Sequence, residues 1–163
     1  MKTILTNEQI NHKIRRIGYQ IVEANSNEKE IVLAGIATNG FILAKKIKVI
    51  LEEISDINIL ICEVKVDKKK PLKQVVTSIN PEKYIHKSLV LVDDVLNSGS
   101  TLMYAIKHFL EVPLKKFKTA VLVNRNHKKY PVKADFKGIS LSTTIEDTIT
   151  VVFNNKTAVA YLD

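Results

Sequence analysis

Residues 89–102 hold the side chains best suited to chemistry: two adjacent carboxylates, Asp93 and Asp94, then a short turn of amide, hydroxyl and glycine. That turn, Asn97, Ser98, Gly99, Ser100 and Thr101, stands just before a stretch with helical spacing. Backbone N–H groups in such a turn point inward, and the helix dipole behind them favours negative charge, so the arrangement suits an anion. Gly99 can take a backbone conformation closed to residues that carry a Cβ. Carboxylates beside an anion cradle fit a ligand with both hydroxyls and a phosphate. The acids could accept hydrogen bonds from a sugar diol while the turn holds the phosphate. A plainer arrangement also fits, in which Asp93 and Asp94 open a solvated loop and Ser98 or Ser100 caps a helix. The run lacks both the Gly-Lys-Ser/Thr ending of a Walker A loop and the spaced glycines of dinucleotide folds.

These residues need elements to hold them. The four apolar residues 89–92 predict a strand buried on both faces, as in a parallel sheet covered by helices. Residues 31–36 predict another buried strand, followed by the loop Ala37, Thr38, Asn39, Gly40 and a helix with Ile42, Leu43, Ile47, Ile50 and Leu51 inward. Thr6 and Gln9 have capping-box spacing ahead of a helix at 7–24, whose Ile10, Ile14, Ile17 and Ile21 share one face. Residues 58–66 predict a strand leaving the core, and 67–73 a basic loop; 74–87 predict no element. A helix starts at Thr101 and is stopped by Pro113. Residues 119–123 predict a strand, and the polar loop 124–131 lies beyond its carboxyl end, where a ligand crevice belongs. Residues 135–138 should turn back toward the sheet, and 148–153 with 157–162 predict a terminal hairpin. This order implies an α/β fold with a central, mostly parallel twisted sheet flanked by helices, in one domain spanning 1–163.

Composition sets the outer bounds. Of 163 residues, 45% are hydrophobic, enough for a substantial core. No apolar run approaches about 18 residues and no signal-like region opens the chain, so a soluble cytoplasmic protein without membrane contact is expected. The net charge is +8, which favours anionic partners, phosphorylated metabolites and RNA among them. Arg15, Arg16 and Arg125 are the only arginines. Cys62 sits in an apolar run and reads as a small buried hydrophobe. The four histidines, at 12, 86, 108 and 127, show no zinc-ligand grouping with it. Any metal would be Mg²⁺ on oxygen atoms of substrate and protein.

The composite run 90–102, hydrophobic strand, acidic pair and hydroxyl-glycine loop, resembles the phosphoribosyl-pyrophosphate (PRPP) signature of the type I phosphoribosyltransferases. Residues 31–152 are similar to the branch of that family in which pyrimidine operon attenuators double as uracil phosphoribosyltransferases, most weakly over 65–87. The resemblance implies a core with a small hood from residues 66–87 and the chain ends. It implies that Ser98, Gly99, Ser100 and Thr101 cup the 5-phosphate, with Asn97 beside them near the base. Asp93 and Asp94 would hold the ribose and serve as protein oxygen donors to Mg²⁺. Ala37, Thr38, Asn39 and Gly40 would form the pyrophosphate loop, where the family usually has Thr-Arg-Gly. With Asn39 in that place, the arginine's contribution is absent. The hood's usual Arg-Asp pair is not evident either, and Lys68, Lys69, Lys70 and Lys73 could replace its charge or form a solvated run. Arg125, His127 and Pro131 match a segment near the nucleobase, with Asn124 replacing an aspartate and Asn126 a glycine. Position 97 is usually acidic in purine-using relatives and tyrosine in uracil-using ones; Asn97 could read a base edge or cap the helix. The implied activity is Mg²⁺-dependent transfer of phosphoribosyl from PRPP to a nucleobase, uracil to UMP, by a homodimer, with Asp93, Asp94 and Arg125 as the catalytic set. The alternative is a nucleotide-sensing, RNA-binding regulator of pyrimidine genes that has lost catalysis.

Overall fold

The computed structural model describes residues 1–70 and 72–163. Pro71, inside the basic loop expected at 67–73, lies outside the described residues. The chain opens with β1 (Lys2–Leu5) and α1 (Asn7–Ala24). The predicted capping box is present: the Gln9 amide donates to Thr6 Oγ1 at 3.3 Å and the Thr6 amide donates to Gln9 Oε1 at 2.9 Å. All four isoleucines of the α1 stripe are buried.

Next come β2 (Glu30–Ile36), α2 (Asn39–Ile54), β3 (Asn58–Lys65), β4 (Val76–Thr77) and a 3₁₀ turn (Pro81–Lys83). They are followed by β5 (Ser88–Leu96), α3 (Ser100–Phe109), β6 (Lys116–Arg125), β7 (Phe136–Leu141), β8 (Ile149–Phe153) and β9 (Ala158–Leu162). Six strands form one sheet in the order β4-β3-β2-β5-β6-β7, all parallel except the short edge strand β4. The predicted α/β architecture is therefore present.

Strands β2 and β5 are neighbours, yet the helices that follow them pack on opposite faces. Helix α2 joins α1 over a core containing Leu33, Val90 and Val92. Helix α3 covers the other face with Leu102, Ala105 and Phe109, where Tyr84 and Phe109 meet edge to face at 5.1 Å. Connections that diverge from adjacent parallel strands leave a crevice at their carboxyl ends. The 97–101 turn sits there.

The chain ends pair in a second, three-stranded antiparallel sheet, β1-β9-β8, whose β8–β9 hairpin was expected. Its apolar side, with Leu5, Val151 and Ala160, joins the core under α1 and α2. Of residues 66–87, the other expected hood contributor, β4 pairs with β3 in the large sheet.

Three local expectations need correction. Asp93 and Asp94 lie inside β5 rather than past its exposed end, and Asp93 is only 4% exposed. The loop expected from 124 begins later, because β6 continues through the buried pair Asn124 and Arg125. Residues 135–138 do not merely turn back: β7 starts at Phe136 and adds a parallel edge strand, with Phe136 and Gly138 buried. The short apolar period of β7 gave too little signal to separate it from a turn. Among the described residues, no helix is long and apolar enough to cross a membrane.

Candidate active site

A cup of about 330 Å³ opens at the carboxyl end of β5. It is lined by Asp93, Asp94, Asn97, Ser98, Gly99 and Thr101, together with Asn39, Lys68, Thr150 and Val151. The carboxylate pair and the hydroxyl-rich turn thus share one cavity.

The turn is shaped from within. Gly99 occupies the cap position of α3 with φ of 88°, in the left-handed region that favours glycine. A Cβ there would lie 2.5 Å from Val132 Cγ1. The Ser100 amide donates to Ser98 Oγ at 3.2 Å, so Ser98 orders the turn while Ser100 begins the helix. The amides of Lys129 and Tyr130 both donate to Ser98 O, at 2.9 and 3.0 Å. The 124–131 segment is therefore stapled to the outside of the turn.

The loop after β2 contributes unevenly. Asn39 reaches the cup: its Nδ2 donates to Asp94 Oδ2 and to Val151 O, both at 2.9 Å. Ala37, Thr38 and Gly40 build the turn beside the cup and do not line it. The Ala37–Thr38 peptide is cis, and the Ala37 amide donates to Val64 O at 2.8 Å. Thr38 precedes α2 without a side-chain cap bond. Gly40 lets α2 start hard against β5, since a Cβ there would lie 2.6 Å from Val92 O and 3.1 Å from Asp93 Oδ1.

The carboxylates differ in environment. Asp94 is half-buried, with Oδ1 accepting from the Val95 amide and Oδ2 from Asn39. Asp93 accepts the Asp94 amide at 2.9 Å and is otherwise enclosed. Burial first, and then the charge of Asp94, push the Asp93 carboxyl well above its usual range, against a smaller opposing pull from Lys68. Neither carboxylate has an ion-pair partner among the described residues.

Lys68 projects from a loop with its own anchor. Asp67 Oδ1 accepts the amides of Lys69 and Lys70, each at 3.0 Å, and Asp67 Oδ2 pairs with Lys73 at 3.6 Å. Those amide bonds hold the Asp67 carboxyl below its usual range. One of the four lysines therefore faces the cup and another is spent on the loop.

Arg125 and His127 do not line the cup. Arg125 is 9% exposed and binds three groups: Nε donates to Thr143 Oγ1 at 2.9 Å, Nη2 to Thr144 O at 2.9 Å, and Nη1 to Asn97 Oδ1 at 3.1 Å. His127 Nε2 meets Thr143 O. Asn124 donates to Ser140 Oγ at 3.2 Å, and its buried Oδ1 has no partner among the described residues. The 143–147 turn that Arg125 holds is closed by the Thr144 amide donating to Asp147 Oδ2 at 2.7 Å. Thr150 and Val151 in the cup wall carried no sequence signal beyond the expected hairpin, and Thr143 and Thr144, which bond Arg125, carried none.

The sequence profile of the phosphoribosyl transferase domain matches residues 1–160. The bifunctional protein PyrR of Streptococcus agalactiae serotype Ia is 33% identical over 156 residues, covering 92% of this chain and 88% of its own. The bifunctional protein PyrR of Bacillus pumilus is 31% identical over 166 residues, covering 94% of this chain and 91% of its own. Among solved structures, a hypoxanthine-guanine phosphoribosyltransferase of Bacillus anthracis, with a HEPES molecule in its active site, superposes with a TM-score of 0.78. It is 19% identical, with 98% of this chain and 96% of that one covered, and shows that the fold is that of a type I phosphoribosyltransferase. The chain belongs to the phosphoribosyl transferase domain family.

Proposed function

We propose that this phosphoribosyltransferase transfers the phosphoribosyl group of PRPP to uracil, giving UMP and pyrophosphate, with Mg²⁺ as cofactor. The observation that supports it best is the single cup shared by Asp93, Asp94 and the 97–101 turn. Similarity over most of the chain to bifunctional proteins PyrR supports a pyrimidine.

The residues divide the substrate between them. Backbone N–H groups of the turn and the positive end of α3 receive the 5-phosphate, and Thr101 adds a hydroxyl at the same wall. Asp94, already held by Asn39 and Val95, meets the ribose diol with its geometry set, which fixes C1 before reaction. The paired carboxylates also stabilise positive charge that develops on the sugar as the C1–O bond breaks. Lys68 lines the same cup as Asn39 and supplies positive charge for the pyrophosphate where Asn39 replaces the family's arginine. An Mg²⁺ ion fits this pair, since Mg²⁺ takes one or two carboxylates and completes its shell with substrate oxygens and water, neutralising charge on the leaving pyrophosphate when bound.

Incubation with PRPP, Mg²⁺ and each of uracil, cytosine, hypoxanthine, guanine and adenine tests this. Pyrophosphate release with uracil, and UMP as product, is the expected result. Release with no base would overturn the enzyme reading, and release with purines alone would overturn uracil.

The net charge of +8 favours a second reading, a nucleotide-sensing regulator that binds RNA. That reading requires steeply salt-dependent binding that prefers a pyrimidine-operon transcript over unrelated RNA of equal length. Equal binding to both would leave only surface attraction.

A further inference from the structure

We infer that Arg125 fixes the Asn97 amide so that this pair selects nucleobases presenting a carbonyl edge over those presenting an amino group. The inference rests on the phosphoribosyltransferase reading and deepens it to a substrate class.

The starting point is a donor-only group. A guanidinium has five N–H donors and no acceptor. Arg125 is buried, and its Nε and Nη2 are committed to Thr143 Oγ1 and Thr144 O. Its remaining arm, Nη1, donates to Asn97 Oδ1 at 3.1 Å. A donor-only partner dictates which end of the amide turns toward it. The Asn97 oxygen faces Arg125, so Nδ2 faces away, and it has no protein acceptor among the described residues. Asn97 is exposed and lines the cup between the carboxylates and the phosphate turn. Its two N–H groups are thus offered to whatever occupies the cup. The fixed positive charge behind the oxygen polarises the amide and strengthens those donors.

A donor at the cup wall requires an acceptor on the ligand. An oxo group, as in uracil, supplies one. An amino group, as in cytosine, brings donor against donor and leaves both unpaired when the base is seated, the circumstance in which polar sites discriminate most. A carboxylate at position 97 would do the reverse, giving one oxygen to Arg125 and presenting an acceptor to the cup.

Isothermal titration of the full chain with PRPP, UMP and CMP separately, without turnover, tests the idea. UMP should bind at least tenfold more tightly than CMP. In Asn97→Asp, an isosteric change at an exposed position, the UMP-to-CMP affinity ratio should fall at least tenfold. Arg125→Met, which frees the amide to turn over, should bring the ratio close to one; Asn97→Asp carries the test if that buried change prevents folding. Equal affinities in the parent protein, or an unchanged ratio in Asn97→Asp, would overturn the inference. If PRPP and both nucleotides fail to bind the parent protein, the phosphoribosyltransferase reading falls with it. PRPP binding together with equal UMP and CMP affinities overturns the selection alone.

Discussion

Asp93 carries the least solvated carboxyl in the cup, and its fate with pH follows from that. Burial, with Asp94 beside it, raises its folded-state pKa above the usual 3.8. A raised acid favours the protonated fold, so its stabilising share is full below about 3.8 and is lost as pH rises through the folded value. Above that value the buried charge weighs against folding. Asp93→Asn should therefore raise Tm at pH 7 to 8, because it removes a carboxylate whose charged form burial disfavours. The gain should vanish near pH 3, and turnover should drop by roughly ten- to a hundredfold if the proposed contact to the ribose is weakened. Melting curves across pH and initial rates check both halves. Lys68 makes a cleaner kinetic test because it is exposed. Lys68→Ala should raise KM for PRPP about tenfold, the loss of one charged contact, while Lys69→Ala, whose side chain does not line the cup, should leave it unchanged.

At the scale of elements, the join between β5 and α3 decides whether the cup exists. The left-handed Gly99 sits under Val132, and Ser98 O holds two amides of the 124–131 segment. Gly99→Ala should cost roughly 2 to 4 kcal/mol, from left-handed strain of about 1–2 kcal/mol plus crowding of similar size. Denaturant melts would show it, and PRPP affinity should fall together with stability. Thr101→Ala adds no backbone strain and should weaken PRPP binding alone, about tenfold by titration. The contrast separates the shape of the turn from its chemistry.

Across the whole molecule, Asn39 is a polar fastening between two sheets that also share an apolar core. It stands at the start of α2 and its Nδ2 bonds both to Asp94 on β5 and to the backbone of β8. Asn39→Asp would set a carboxylate against Asp94 and the Val151 carbonyl, replacing two attractive contacts with two repulsive ones. A loss of about 2 kcal/mol or more follows from unpaired part-buried polar groups. Hydrogen exchange followed by mass spectrometry should show faster exchange in β8 and β9 than in β5 and β6. Uniform acceleration throughout would mean that the small sheet is not separately fastened.

The sequence by itself determined what depends on neighbouring residues. The capping box of Thr6 and Gln9, the buried run before Asp93 and the glycine of the 97–101 turn are local features, and backbone geometry follows from them directly. Tertiary structure alone decided which of four lysines enters the cup, since the loop after β3 meets the carboxyl end of β5 only because both strands flank β2 in one sheet. It also decided that Asp93 is enclosed, because α2 packs through Gly40 onto β5 from far along the chain. Arg125 shows the difference most directly: its partners Asn97, Thr143 and Thr144 belong to other elements. A guanidinium's role depends on where acceptors stand in space, and sheet pairing brings them there across separations that local pattern does not encode.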